Sequence, residues 1–109
     1  MDEALWLQKW YLSHCDGSWE HSFGVKIGNL DNPGWRVFID LTGTEAESRV
    51  LTRVVIERSE NNWIVLETES GRFIGHGGPL NLVDILVAFR RWWEGAADDE
   101  LVDRPNVTG

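Results

Sequence analysis

The chain predicts an α+β fold: an antiparallel meander sheet of four to five strands with an N-terminal and a C-terminal helix packed on one face. Three observations carry this. Apolar residues recur at helical spacing near both ends of the chain. Between them the apolar residues alternate with period two, most cleanly in Trp35-Arg36-Val37-Phe38-Ile39-Asp40-Leu41. The connections between these runs are short and rich in turn residues, which favours antiparallel neighbours. Two amphipathic helices most simply cover the same face of such a sheet.

The first helix runs from Asp2 to about His14. Asp2 and Glu3 suit its positive N-terminal end, and Gly17 in Cys15-Asp16-Gly17 supplies the exit. Its apolar stripe is wide, since Leu5, Trp6 and Trp10 follow one spacing while Leu7 and Tyr11 follow another. Trp19 to Leu30 reads as the first strand. Trp19, His21, Phe23, Val25 and Ile27 share one face, with Glu20 and Lys26 on the other. Asp31-Asn32-Pro33-Gly34 is a turn, because Pro presets one dihedral and Gly tolerates positive φ. Trp35 to Leu41 completes a hairpin with Trp35, Val37, Ile39 and Leu41 inward and Arg36, Phe38 and Asp40 outward.

Thr42 to Ser48 is a polar connection carrying Glu45 and Glu47. Val50 to Arg58 is β-branched and reads as the third strand, with Glu60-Asn61-Asn62 as the next turn. Trp63 to Thr68 is the fourth strand, Ser70-Gly71 a tight turn, and Arg72 to His76 a short fifth strand. Gly75-His76-Gly77-Gly78 lacks the Lys and Ser or Thr of a phosphate loop, so it reads as a loop that returns the last helix over the sheet. That helix begins near Pro79 or Asn81 and runs to Glu94. Leu82, Ile85, Leu86, Phe89, Trp92 and Trp93 form its stripe, and Gly95 stops it. Residues 1–95 therefore form the expected α+β domain. Residues 96–109 lose periodicity and read as a frayed acidic tail.

The net charge of −8 opposes phosphate neutralisation and so excludes nucleic acid as the expected partner. It also disfavours an anionic membrane surface, and no apolar run approaches the length of a span. A single cysteine permits no internal disulfide, and the acidic, amphipathic N-terminus is unlike an apolar leader, so a reducing cytoplasmic setting is expected.

Seven tryptophans in 109 residues suggest a small core built on indoles. A ligand-binding module with a pocket lined by Trp19, Trp35 and Trp63 is an alternative use of them. Cys15 with His21 or His14 has the residue types of a nucleophile and its base, but buried, inert cysteine is the more ordinary state. His14, His21 and Asp16 match no zinc spacing, so neither a metal nor a cofactor is expected.

The open sheet face offers a different kind of site. An aromatic set among charges, Phe38 beside Glu20 and Asp40, is what protein-binding surfaces present, and Asp31, Glu45 and Glu47 extend the acidic set into the loops. Trp10-Tyr11, Cys15-Asp16-Gly17-x-Trp19-Glu20-His21, Gly24-Val25-x-Ile27 and Leu30-Asp31-Asn32-Pro33-Gly34-Trp35 together resemble the immunity protein 53 family. Asp40-Leu41-Thr42-Gly43-Thr44 and the Trp92-Trp93 pair continue the resemblance to about Gly95. It implies a bacterial immunity protein of a polymorphic toxin system, one that binds and blocks a cognate toxin without being an enzyme. It supplies no mapped site. Acidity implies a basic toxin, and homodimerisation through an uncovered sheet edge or face stays open.

Overall fold

The computed structural model describes residues 2–103. Helix α1 (Glu3–His14) starts where Asp2 accepts a hydrogen bond from the Leu5 N–H, a side-chain cap at the positive end of the helix. A single helical turn, α2 (Trp19–Ser22), follows. Strands β1 (Val25–Leu30), β2 (Gly34–Asp40), β3 (Val54–Ser59), β4 (Asn62–Glu69) and β5 (Arg72–Gly77) precede α3 (Leu82–Trp93). A 3-10 turn at Asp98–Glu100 comes last.

All strand pairs are antiparallel, as the short turns require, and the sheet order is β1-β2-β5-β4-β3. The fold class is the expected one. Its strand order departs from a simple meander at one link: the chain leaves β2 and enters at the far edge as β3, so β5 returns to pair with β2. The fifth strand, expected only as a short one, is therefore the centre of the sheet.

Register assigns the faces. Val37, Ile39, Ile64, Leu66 and Phe73 are fully buried on the helix side. Above them α3 buries Ile85, Phe89 and Trp92 at i, i+4 and i+7, with Phe73 5.0 Å from Phe89 and 5.6 Å from Trp92 between ring centroids. Each fully buried apolar side chain of this size contributes about 1.5–3 kcal/mol. Helix α3 lies on the sheet, whereas α1 packs chiefly on α3. Trp10 makes that junction. Its ring meets Phe89, Trp93 and Trp19 edge-on at 5.2, 5.4 and 6.0 Å.

Glycine sets the depth of the helix. A Cβ on Gly75 would lie 2.5 Å from Ile85 Cγ2, so α3 rests almost on the backbone of β5. Three residues of the Gly75–Gly78 run, Gly75 to Gly77, thus lie in the central strand and not in a connecting loop. Gly34 has a similar cause: a Cβ there would lie 2.3 Å from the Gly77 carbonyl. Positive φ is not what fixes glycine at that turn.

Other expectations shift in detail. Trp19–Ser22 is helical, so the first strand begins only at Val25. The third strand begins at Val54, although Leu51 is buried and tied to β4 through its exchange of hydrogen bonds with Thr68. Asn81 is buried at the start of α3 but bonds sideways, accepting from the Trp63 N–H and donating to Asn62 and Asp84. Trp63 stands on the face opposite Trp35, so no pocket of Trp19, Trp35 and Trp63 can form. The stretch read as a frayed tail enters the core: Leu101 and Val102 are buried, and the Asp103 carbonyl accepts from Arg58. Residues 104–109 lie outside the described residues.

The seating of α3 is testable. Gly75→Ala should lower unfolding stability by about 1–3 kcal/mol in urea titration. In an Ile85→Ala background, where the opposing methyl is gone, the same change should cost less. Equal costs in the two backgrounds would show that Ile85 does not set the helix depth.

Candidate functional site

The turn from Cys15 to Ser22 leads into a concave surface that it shares with α1 and β1. Asp16 Oδ1 accepts from the N–H groups of Ser18 and Trp19, both at 2.9 Å. Glu20 reaches back to the Asp16 N–H at 3.0 Å and to the Gly17 N–H at 2.9 and 3.1 Å. These reciprocal bonds fold the chain back just ahead of α2 and satisfy the Trp19 N–H in its first turn, which is why Trp19 and Glu20 turn instead of extending. The Trp19 indole then donates to the Thr42 carbonyl at 2.7 Å and locks the turn onto the sheet. Backbone N–H bonds from Trp19 and Ser18 hold the Asp16 carboxyl below its ordinary pKa. The Glu20 carboxyl is lowered by its own N–H and then by those of Asp16 and Gly17.

After this turn, Gly24 and Asp40 clasp each other. The Gly24 N–H donates to Asp40 Oδ2 at 2.9 Å, and the Asp40 N–H donates to the Gly24 carbonyl at 3.0 Å. Between α1, α2 and β1 lies an open cleft of about 740 Å³. Leu7, Tyr11, Phe23, Val25, Ile27 and Leu86 give it an apolar lining, and Glu20, His21, Lys26 and Asp40 give it a polar rim. Ile27 is 45% exposed and Tyr11 38% exposed within it. Glu20 and Asp40, twenty residues apart in sequence, thus share one rim, though Glu20 arrives there from α2 and not from an open strand face.

The other candidate residues lie elsewhere. Phe38 is half-buried on the open sheet face, beneath the guanidinium groups of Arg36 at 5.9 Å and Arg72 at 5.0 Å and edge-on to His76 at 6.2 Å. Lys26 lines the same shallow depression. Of the charges expected around Phe38, Lys26 and Arg36 are there, and Arg72 joins them from β5, so its immediate surroundings are cationic. Asp31 is exposed in the β1–β2 turn. Glu45 and Glu47 sit in the β2–β3 link, where Glu45 lies 3.3 Å from His14 Nε2. The Glu45 carboxyl is lowered by its own N–H and then by the His14 bond. The expected six residues thus occupy several places, and only Glu20 and Asp40 come together around a cavity. The sequence reading missed Leu7, Tyr11 and Phe23 as lining residues because their apolar character marks core and cleft alike.

Among the described residues, the Cys15 thiol forms no hydrogen bond with a histidine. Its thiol donates to the Tyr11 carbonyl at 3.3 Å, and it raises the pKa of the Tyr11 phenol through charge repulsion. His14 Nδ1 lies 2.8 Å from the Trp10 carbonyl, and His21 is exposed. Among the described residues, no group of three His, Cys, Asp or Glu side chains could hold a metal ion.

The sequence model of immunity protein 53 matches residues 4–94, from the first turn of α1 through the end of α3. The chain belongs to the immunity protein 53 family. Neither the curated proteins nor the solved structures compared with it gave a match. The matched span contains every residue of the cleft and ends before the 3-10 turn, so the cleft is built from the part shared with the immunity protein 53 family. No helix among the described residues is long and apolar enough to cross a membrane.

The Asp16–Glu20 turn predicts a pH signature. A carboxyl whose folded pKa is depressed stabilises the fold above its unfolded value, about 4, and that stabilisation fades as pH falls through the folded value. Asp16→Asn with Glu20→Gln should lower the melting temperature at neutral pH, and the gap to the unaltered chain should close on acidification. Thermal unfolding across that range measures it; a gap constant with pH would exclude these carboxylates as the cause.

Proposed function

We propose that the chain binds a cognate toxin protein one-to-one and neutralises it in the cytoplasm of the cell that makes both. Membership of the immunity protein 53 family carries this reading. Inhibition is by occupation of the toxin, without turnover, and the α1–β1 cleft is the docking surface. Three features support the cleft. It joins a large apolar lining to carboxylates at its rim, which is how a protein contact combines area with orientation. Glu20 and Asp40 are pre-positioned there by backbone bonds, so little side-chain ordering is left to pay on binding. The net charge of −8 attracts a basic partner over distance and speeds encounter. Asp31, Glu45 and Glu47 add to that field from the loops, while Phe38, under its arginines, offers a cationic surface of secondary importance.

The proposal is tested with the product of the adjacent toxin gene, its active site inactivated. Titration should give tight one-to-one binding that weakens with salt. Glu20→Gln and Asp40→Asn keep hydrogen-bond acceptors for the backbone while removing charge. Together they should slow association about three- to tenfold at low salt, with the difference shrinking at high salt. Absence of binding to that product would overturn the inhibitory reading. Unchanged association kinetics would instead move the docking surface away from this rim.

A further inference from the structure

The two edges of the sheet are finished differently. At the β3 edge the register shifts between Glu57 and Ser59, a bulge that disrupts further pairing. The segment after α3 also folds back there, burying Leu101 and Val102 and tying the Asp103 carbonyl to Arg58. The β1 edge has neither device. β1 pairs with β2 in unbroken register from Val25↔Ile39 to Leu30↔Gly34, and it contains no proline.

The ladder fixes which backbone groups are free. The Gly24 carbonyl accepts from the Asp40 N–H, so Gly24 points its polar groups toward β2. Antiparallel alternation then turns Lys26, Gly28 and Leu30 inward to β2 and leaves the N–H and C=O of Val25, Ile27 and Asn29 facing outward. The cleft reaches this edge. Phe23, Gly24, Val25, Lys26 and Ile27 all line it, and Lys26 and Ile27 come from opposite faces of the strand, so the hollow wraps around the edge itself.

We infer that the free edge of β1 receives an extended segment of the toxin as an added strand, whose alternate apolar side chains enter the α1–β1 cleft and whose Lys or Arg side chain meets Glu20 and Asp40. This rests on the reading of the chain as a toxin inhibitor. Main-chain bonds to Val25, Ile27 and Asn29 supply affinity, and the cleft supplies specificity through every second side chain. The rim selects a basic segment, because its two carboxylates, Glu20 and Asp40, outnumber its one lysine, Lys26.

Amide hydrogen exchange in the complex with the inactivated product of the adjacent toxin gene decides the matter. The outward amides of Val25, Ile27 and Asn29 should exchange at least about tenfold more slowly in the complex, while those of Lys26, Gly28 and Leu30, already bonded to β2, change less. A second variant separates backbone from side chain. Ile27→Pro removes one outward donor at an edge position that tolerates proline, and Ile27→Ala removes only apolar surface. The proline variant should weaken binding about tenfold beyond the alanine variant. Toxin binding without protection of the three outward amides, or equal losses for the two variants, overturns the added strand and leaves the inhibitory reading standing. No binding at all overturns both.

Discussion

Ile85 of α3 lies almost on the backbone of β5, and this close approach sets the depth at which every other element packs. A side chain at Gly75 would push the helix outward and open a gap above Val37, Ile39 and Leu66. With the helix low, Phe89 and Trp92 reach Phe73 on the same strand. The β2–β3 link fastens the far end. Arg49 lies 4.3 Å over the Trp92 ring and donates to the Trp92 carbonyl at 2.6 Å, where the helix dipole is negative. Because α3 occupies the middle of the sheet, α1 is left to pack on α3 and not across β1. The cleft is the consequence: Val25 and Ile27, on the helix side of β1, stand at the margin of the core, and Ile27 stays 45% exposed.

The aromatic junction around Trp10 shows what this arrangement costs. Its indole N–H is buried without a hydrogen-bond partner among the described residues, a loss of about 1–3 kcal/mol. Edge-on contacts with Phe89, Trp93 and Trp19 offset it, since each such pair contributes about 0.5–1.5 kcal/mol beyond buried area. Trp19 reaches this junction only because Asp16 and Glu20 force a helical turn ahead of β1. The polar turn and the apolar junction are therefore one device. It holds the cleft's rim carboxylate, Glu20, at a fixed distance from α1.

Much of this was legible in the residues. The period-two alternation of Trp35 to Leu41 placed Val37 and Ile39 in the core, and the stripe of Ile85, Phe89 and Trp92 placed α3 on the sheet. Trp19 to Ser22 was misread because its alternation continues seamlessly into β1, while the signal against a strand is a pair of side-chain bonds from Asp16 and Glu20 to backbone donors. The central position of β5 was hidden for a different reason. Strand order depends on which edge the β2–β3 link reaches, and local pattern carries no record of that. Gly75 and Gly77 held the clue, since glycine in a strand marks close backbone approach, but the same residues resemble a loop. At the site, parity correctly set Phe38 and Asp40 apart from the core, yet it could not foresee that Arg72 would arrive from β5 to cover Phe38.

That last placement bears on the charge of the open face. The chain carries a net charge of −8, yet Lys26, Arg36 and Arg72 gather around Phe38 on the open face, with no salt-bridge partner among the described residues. The same face also carries Asp40, opposite Arg72 in register, so charges of both signs stand there. Charge alone therefore gives this face no single sign, and what marks the cleft rim is that Glu20 and Asp40 are held there by backbone N–H groups.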